Sequence, residues 1–196
     1  INSKVIFLST DYVFDGKKDN YCEEDKTNPI NYYGYTKNLA EEITLANKDN
    51  LIIRTSMIYG HSDKVRFLKY VIENLSKKKI IETYDDIFNS ATLLDDLIEG
   101  VIKAIRSDAK GIFHMAGSSC VSRFEFAKIV AKIFNFNKDL IKPVSITSAK
   151  LKALRPIKPC LSNKEAMKTF NIKFATAEEG IKKVYDRRNE LNISDI

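Results

Sequence analysis

Val5-Ile6-Phe7-Leu8-Ser9-Thr10-Asp11-Tyr12-Val13-Phe14-Asp15-Gly16 is the stretch whose reading decides the fold. Its first four residues are a short apolar, β-rich run bounded by polar and turn residues, which predicts a buried strand with Thr10 at its carboxyl end. In an open α/β sheet that end is where ligands bind. Downstream, Asn28, Pro29 and Asn31 read as the lead-in to a helix, on which Tyr33 and Lys37 stand one turn apart on one face. A tyrosine titrates near pH 10 in water, too high for proton transfer at neutrality, and an ammonium one turn away favours the tyrosinate. A hydroxyl at the opposing strand end holds a carbonyl oxygen beside the phenol. Together these are the parts needed to protonate a ketone as hydride arrives. The Tyr-Lys pair alone carries little weight, because with nine tyrosines in a lysine-rich chain such a spacing arises by chance.

The company the pair keeps is more specific. Val5 to Gly60 resembles the extended short-chain dehydrogenase/reductase superfamily. Ser9 to Gly16, Tyr21-Cys22-Glu23-Glu24-Asp25, Asn28-Pro29 and Tyr33-Gly34 to Lys37 look most like its dTDP-4-dehydrorhamnose reductase family. The likeness continues through Ile53 to Gly60, Gly111 to Gly117 and Arg155-Pro156. It implies Tyr33 as the acid, Lys37 as its electrostatic partner and ribose ligand, and Thr10 as the hydroxyl that holds the keto oxygen. Ser9, Arg54 and Thr55 join Tyr33 and Lys37 on the cofactor side, with the nicotinamide carboxamide near the end of the second strand. Asp11, Tyr12, Phe14, Met57 and Arg155 fall on the sugar side. Met57 stands where the family usually has tryptophan, and it lacks an indole N–H. Related 4,6-dehydratases need a glutamate where Tyr12 stands. Epimerase-reductases of the GDP-fucose type need a cysteine where Asp11 stands.

Composition sets outer limits. The 196 residues, 44% apolar, suffice for one or two globular units with a real core. No apolar run reaches the length of a membrane span, and no signal peptide opens the chain. The net charge of +6 suits an anionic substrate or a solvated lysine surface. Basic residues are spread along the chain, which speaks against nucleic acid. Cys22, Cys120 and Cys160, odd in number and irregular in spacing, read as reduced thiols of a cytoplasmic protein with no metal pattern. The seven glycines nowhere form G-x-G-x-x-G or a phosphate loop. The expectation is a carboxyl-terminal part of a larger reductase, whose other half would hold the cofactor pyrophosphate.

Further along, the spacing predicts a helix over about 32–47 with Leu39, Ile43 and Ala46 as its apolar positions, then a strand at Leu51-Ile52-Ile53. A helix follows from about Lys64 to Lys78 and ends in the charge run Lys77-Lys78-Lys79. Ile80-Ile81 opens a strand, and Asn89 to Thr92 lead into a helix with Asp95 and Asp96 in its first turn. Gly111 to Ala116 reads as a strand, with His114 a satisfied core histidine. Ser122-x-x-Glu125, Ser162-x-x-Glu165 and Thr176-x-x-Glu179 are capping-box signatures for three helices. The acidic run Glu23-Glu24-Asp25 reads as solvated. Arg155, beside Pro156 in a rigid loop, is either a diphosphate or sugar contact or a surface arginine.

These readings converge on an α/β fold, a doubly wound Rossmann-like parallel sheet that is incomplete, with a small mixed α/β substrate-side lobe. Residues 1–60 are expected to belong to the dinucleotide-binding domain, and 61–196 mostly to the substrate side, interleaved with it. The expected activity, in the intact protein, is reduction of the 4-keto group of a dTDP-deoxy-sugar with NADPH or NADH. The alternatives are another nucleotide-sugar epimerase or reductase, or a non-catalytic relative such as a methionine adenosyltransferase regulatory subunit. The expected partner is a nucleotide sugar, with no metal, nucleic acid or membrane. Val5–Ser9 should form an unpaired sheet edge, covered by the other half or by a second copy.

Overall fold

A computed structural model describes residues 3–62, 65–149 and 151–188. The strand predicted at the start is β1 (Ile6–Thr10), followed by a single 3-10 turn at Asp11–Val13. Helix α1 (Tyr32–Leu45) leads to β2 (Leu51–Thr55), and β3 (Ile58–Tyr59) precedes α2 (Arg66–Ser76). Strands β4 (Ile81–Tyr84), β5 (Phe88–Ser90) and β6 (Thr92–Leu93) run up to α3 (Leu94–Ile105). Then come β7 (Gly111–His114), β8 (Cys120–Ser122), α4 (Arg123–Ile133) and β9 (Ile141–Val144). Helices α5 (Lys164–Phe170) and α6 (Ala177–Asp186) close the order.

The main sheet is parallel, in the order β1-β2-β7, with Thr10 level with Thr55 and Arg54 level with His114. All five residues of β2 are buried, as an apolar run between two parallel neighbours requires. Strand β1 pairs only with β2 among the described residues, and Val5, just before it, and Leu8, within it, are about half exposed. The expected edge is therefore present. Three two-stranded pairs lie outside this sheet: β3 with β6, β4 with β9, both parallel, and the antiparallel β5 with β8.

Apolar periodicity places the cores. Leu68, Val71, Ile72 and Leu75 of α2 meet Phe126 and Val130 of α4 and Ile181 of α6 around Tyr59. A second cluster joins Leu51 and Ile53 of β2 to Leu97, Met115, Phe170 and Phe174. Ser122 and Thr176 cap α4 and α6 through complete capping boxes.

Three expectations change. Leu39 and Ile43 of α1 are 44% and 69% exposed, and the residues that helix buries are Gly34 and Glu41. Ser162 does not cap α5: Asn163 is the N-cap, and its side chain turns away to the Ala116 carbonyl at 2.8 Å. Cys120 and Cys160 form a disulfide, their Cα atoms 5.7 Å apart, so only Cys22 is a free thiol. The reduced-thiol reading failed because spacing in sequence does not report proximity across β8 and a distant loop. The start of the second helix at Lys64 lies outside the described residues.

Candidate functional site

Thr10 and Thr55 are level at the carboxyl ends of β1 and β2, and the chain turns away from the sheet after each. A cleft of about 670 Å³ opens there. Thr10, Asp11, Tyr12, Tyr33, Lys37, Thr55 and Met57 line it, as do Phe67 of α2 and Arg123 of α4. Eight positions expected to form a site, Ser9 among them, are thus gathered on one wall.

Each is set by identifiable local chemistry. Asn31 caps α1 by accepting from the Gly34 N–H at 2.8 Å, which starts the helix one residue before Tyr33. A Cβ at Gly34 would lie 2.1 Å from the Tyr12 carbonyl oxygen, so only glycine lets α1 approach this turn. The Tyr12 and Tyr33 rings consequently meet edge to face, 5.7 Å between centroids. Lys37 Nζ donates to the Leu8 carbonyl at 2.7 Å and lies 4.2 Å over the Phe7 ring. Thr10 Oγ1 donates to Asp11 at 3.1 Å.

Asp11 is a buried carboxyl that also accepts from Ser56 Oγ at 2.5 Å and Asn89 Nδ2 at 3.1 Å. Burial pushes its pKa above the usual carboxylate range, and these hydrogen bonds only partly offset that. Burial likewise raises the Tyr12 phenol, while the positive charge of Arg155 works in the opposite direction. Met57 holds a left-handed backbone at φ 33°, an uncommon state for a residue with a side chain. Its carbonyl accepts from the Thr92 N–H at 3.1 Å, which ties the cleft floor to β6. The Thr55 hydroxyl is buried and has no hydrogen-bond partner among the described residues.

Three expected residues lie elsewhere. Phe14 is wholly buried and stacks on Tyr21 at 4.2 Å, in a small core with Val13 and Leu161. It supports the turn from beneath and does not line the cleft. Arg54 points to the other side of β2, where its Nη2 meets Glu41 Oε2 at 2.7 Å and its Nη1 lies 3.3 Å from His114 Nε2. Side chains alternate across a strand, so Arg54 and Thr55 cannot share a face. For the same reason the Ser9 hydroxyl donates to Glu41, away from Thr10. Arg155 is exposed and outside the cleft lining, although its charge reaches Tyr12 and Arg123. Glu23, read as solvated, instead accepts from the His114 N–H at 2.9 Å.

Arg123 was not among the expected residues. It is the first residue of α4, its guanidinium lies 4.6 Å over the Phe67 ring, and it has no ion-pair partner among the described residues. Burial in the cleft wall lowers its pKa. The Ser122 capping box was the available signal, since it fixes where α4 begins. Among the described residues no group of three or more His, Cys, Asp or Glu side chains is placed to hold a metal, and no helix is long and apolar enough to cross a membrane.

Comparison with known proteins shows the family and the fold. The family described as RmlD substrate binding domain matches residues 1–190. A dTDP-4-dehydrorhamnose reductase from Sinorhizobium fredii is 33% identical over 192 residues, covering 92% of this chain and 64% of the relative. The beta subunit of methionine adenosyltransferase 2 from Bos taurus is 29% identical over 156 residues, covering 74% and 46%. Among solved structures, the dTDP-4-dehydrorhamnose reductase of Bacillus anthracis in complex with NADP superposes with a TM-score of 0.87 at 28% identity, covering 94% of this chain and 66% of that one. The chain therefore spans about half to two thirds of the length of the relatives it matches.

Proposed function

The chain belongs to the RmlD substrate-binding domain family, and on that premise we propose that the intact protein reduces the 4-keto group of a dTDP-deoxy-sugar with NADPH or NADH. The observation that carries this reading is the convergence of Thr10, Tyr33 and Lys37 on one cleft at the carboxyl ends of parallel strands. When bound, a reduced nicotinamide supplies the hydride that becomes the new C–H bond at C4. The buried, unpartnered hydroxyl of Thr55 at the end of β2 fits the polar carboxamide of such a group, and Lys37 fits its ribose.

In this reading the keto oxygen sits between Thr10 and Tyr33. Thr10, its hydroxyl turned from Asp11, donates a hydrogen bond that holds it, and Tyr33 gives up its proton as negative charge develops on it. The Lys37 ammonium stabilises the tyrosinate left behind. Tyr33, about half exposed, regains its proton from solvent once the alcohol leaves. Asp11, Tyr12 and Met57 face the sugar. Arg123, with Arg155 at the cleft mouth, offers positive charge to the diphosphate. Phe14 and Arg54 support this arrangement from outside the cleft.

A second reading, a non-catalytic regulatory subunit, is favoured by the match to the methionine adenosyltransferase subunit. The two separate in one assay. The full-length protein, given a dTDP-4-keto-6-deoxy-sugar and NADPH or NADH, should consume the dinucleotide and form the 4-hydroxy product. Nucleotide binding without turnover would overturn the reductase reading.

A further inference from the structure

We propose that Glu41 is a positioning residue, the pin that sets α1, and with it Tyr33 and Lys37, against the strand that carries Thr10. The proposal rests on the reductase reading for the roles of those three residues. Tyr33, Lys37 and Glu41 follow one another at helical i, i+4 spacing, so all three face the same side of α1.

A helix on a sheet is ordinarily held by an apolar stripe. Helix α1 has only a scant one: Leu39, Ile43, Tyr32 and Tyr35 are exposed, and Ala40 and Leu45 are only partly buried. The residues it buries are a glycine, which allows close approach but supplies almost no contact surface, and Glu41, which is 3% exposed.

The Glu41 carboxylate grips both neighbouring strands. From β1, the Ser9 hydroxyl donates to Oε1, and Ser9 directly precedes Thr10. From β2, the Arg54 guanidinium binds with two nitrogens, Nε at 3.0 Å from Oε1 and Nη2 at 2.7 Å from Oε2. Arg54 is itself fixed, by His114 on β7 at 3.3 Å and by the Phe14 ring at 5.0 Å. His114 is anchored in turn by the Tyr21 carbonyl, 3.2 Å from its Nδ1. One carboxylate thus references α1 to all three strands of the sheet. A bidentate charged pair is also directional, so it fixes rotation of the helix as well as distance.

The other ties of α1 do not duplicate this. The Asn31 cap and the packing of Gly34 on Tyr12 hold its first turn, and Asn50, donating to the Thr44 carbonyl at 2.8 Å, holds its last. Between them, among the described residues, Lys37 is the other side chain with a polar tie to the sheet, through its bond to the Leu8 carbonyl and its place over the Phe7 ring. Lys37 cannot be both a free tether and a partner to ligand and tyrosine, which leaves Glu41 as the fixed point. Misplacing a reacting group by about 1 Å can cost a hundredfold in rate.

The test compares wild type with Glu41→Ala by amide hydrogen exchange on the folded chain and by turnover of the full-length protein. We expect exchange at Gly34 to Lys37 to rise about tenfold or more while Ile52 and Ile53 of β2 stay within about threefold. Turnover should fall about 30- to 100-fold in kcat, with KM for the nucleotide sugar within about threefold. Exchange rising by one factor throughout, or unchanged in α1, overturns the proposal, because Glu41 would then serve general stability or nothing. Raised α1 exchange with undiminished kcat overturns it as well. If the wild-type protein shows no turnover the reductase reading fails, and the exchange pattern still decides whether Glu41 pins α1. Should Glu41→Ala fail to fold, Glu41→Gln, which keeps the shape and one acceptor oxygen, is read the same way, with a rise in α1 exchange of at least about threefold expected.

Discussion

His114 gives the fold a calculable sensitivity to acid. The imidazole is wholly buried, with Nδ1 3.2 Å from the Tyr21 carbonyl and Nε2 3.3 Å from the Arg54 guanidinium. A proton on Nδ1 donates to the carbonyl and leaves Nε2 to accept from Arg54. A second proton would face the Arg54 cation in a buried site, and the backbone groups of Tyr21 and Ser162 that favour the protonated ring do not offset this. Burial, and then the Arg54 charge, push the pKa from 6.5 down to about 3. The unfolded chain takes up a proton below pH 6.5 that the folded chain refuses until about pH 3. Stability contributed by the neutral ring is therefore complete above pH 6.5 and falls as the pH drops, at about 1.4 kcal/mol per unit and about 5 kcal/mol in all. His114→Gln removes the titration and keeps a donor and an acceptor. We expect the variant to be less stable at neutrality by about 1–2 kcal/mol, the gap to close between about pH 6 and about pH 5, and the order to reverse below that. Asp11 and Glu23, whose raised pKa values make their contributions grow in acid, are common to both proteins and cancel in the difference. Urea unfolding from about pH 7 to about pH 4, with equal m-values in both proteins, measures that difference directly. Curves for wild type and variant that stay parallel across the window would refute the reasoning.

Gly34→Ala should destabilise the fold by about 1–3 kcal/mol and lower the melting temperature by several degrees, since the new methyl meets a backbone oxygen that cannot swing aside. An unchanged melting temperature in calorimetry would show that α1 seats itself otherwise. Reducing the Cys120–Cys160 bridge, or replacing both residues with serine, should cost up to about 4 kcal/mol for a cross-link 40 residues apart in sequence. Urea midpoints that are identical with and without reductant would count against the cross-link. In steady-state kinetics of the full-length protein, Arg123→Gln should raise KM for the nucleotide sugar about tenfold with little change in kcat, as loss of one charged hydrogen bond predicts. An unchanged KM would remove Arg123 from substrate binding.

What could be read from the sequence follows the range of the forces involved. β1, β2 and the cap-bounded helices α4 and α6 were legible because apolar periodicity and capping are local. The Tyr33 and Lys37 register was legible for the same reason. The way α1 rests on the sheet was not, because Leu39 and Ile43 look like a core face, and only the fold brings Arg54 to Glu41. Burying that carboxylate displaces the apolar residues one would expect beneath the helix. Strand alternation explains the mixed outcome for Ser9 and Arg54: each lies at the site in sequence and points away from it in space. Phe14 was misplaced because the 3-10 turn at Asp11–Val13 redirects the chain into the core. Arg123 and the Cys120–Cys160 bridge depend on contacts across distant segments, which one sequence does not display.

The central claim is that Tyr33 delivers the proton. The most direct test is single-turnover reduction of a dTDP-4-keto-6-deoxy-sugar by full-length wild type and Tyr33→Phe. Only one hydroxyl is removed, from a side chain about half exposed, so the variant should fold with an unchanged melting temperature. Its reduction rate should fall about 10²- to 10⁴-fold, the usual worth of a positioned general acid. A folded Tyr33→Phe protein that keeps more than about a tenth of the wild-type rate would contradict the account.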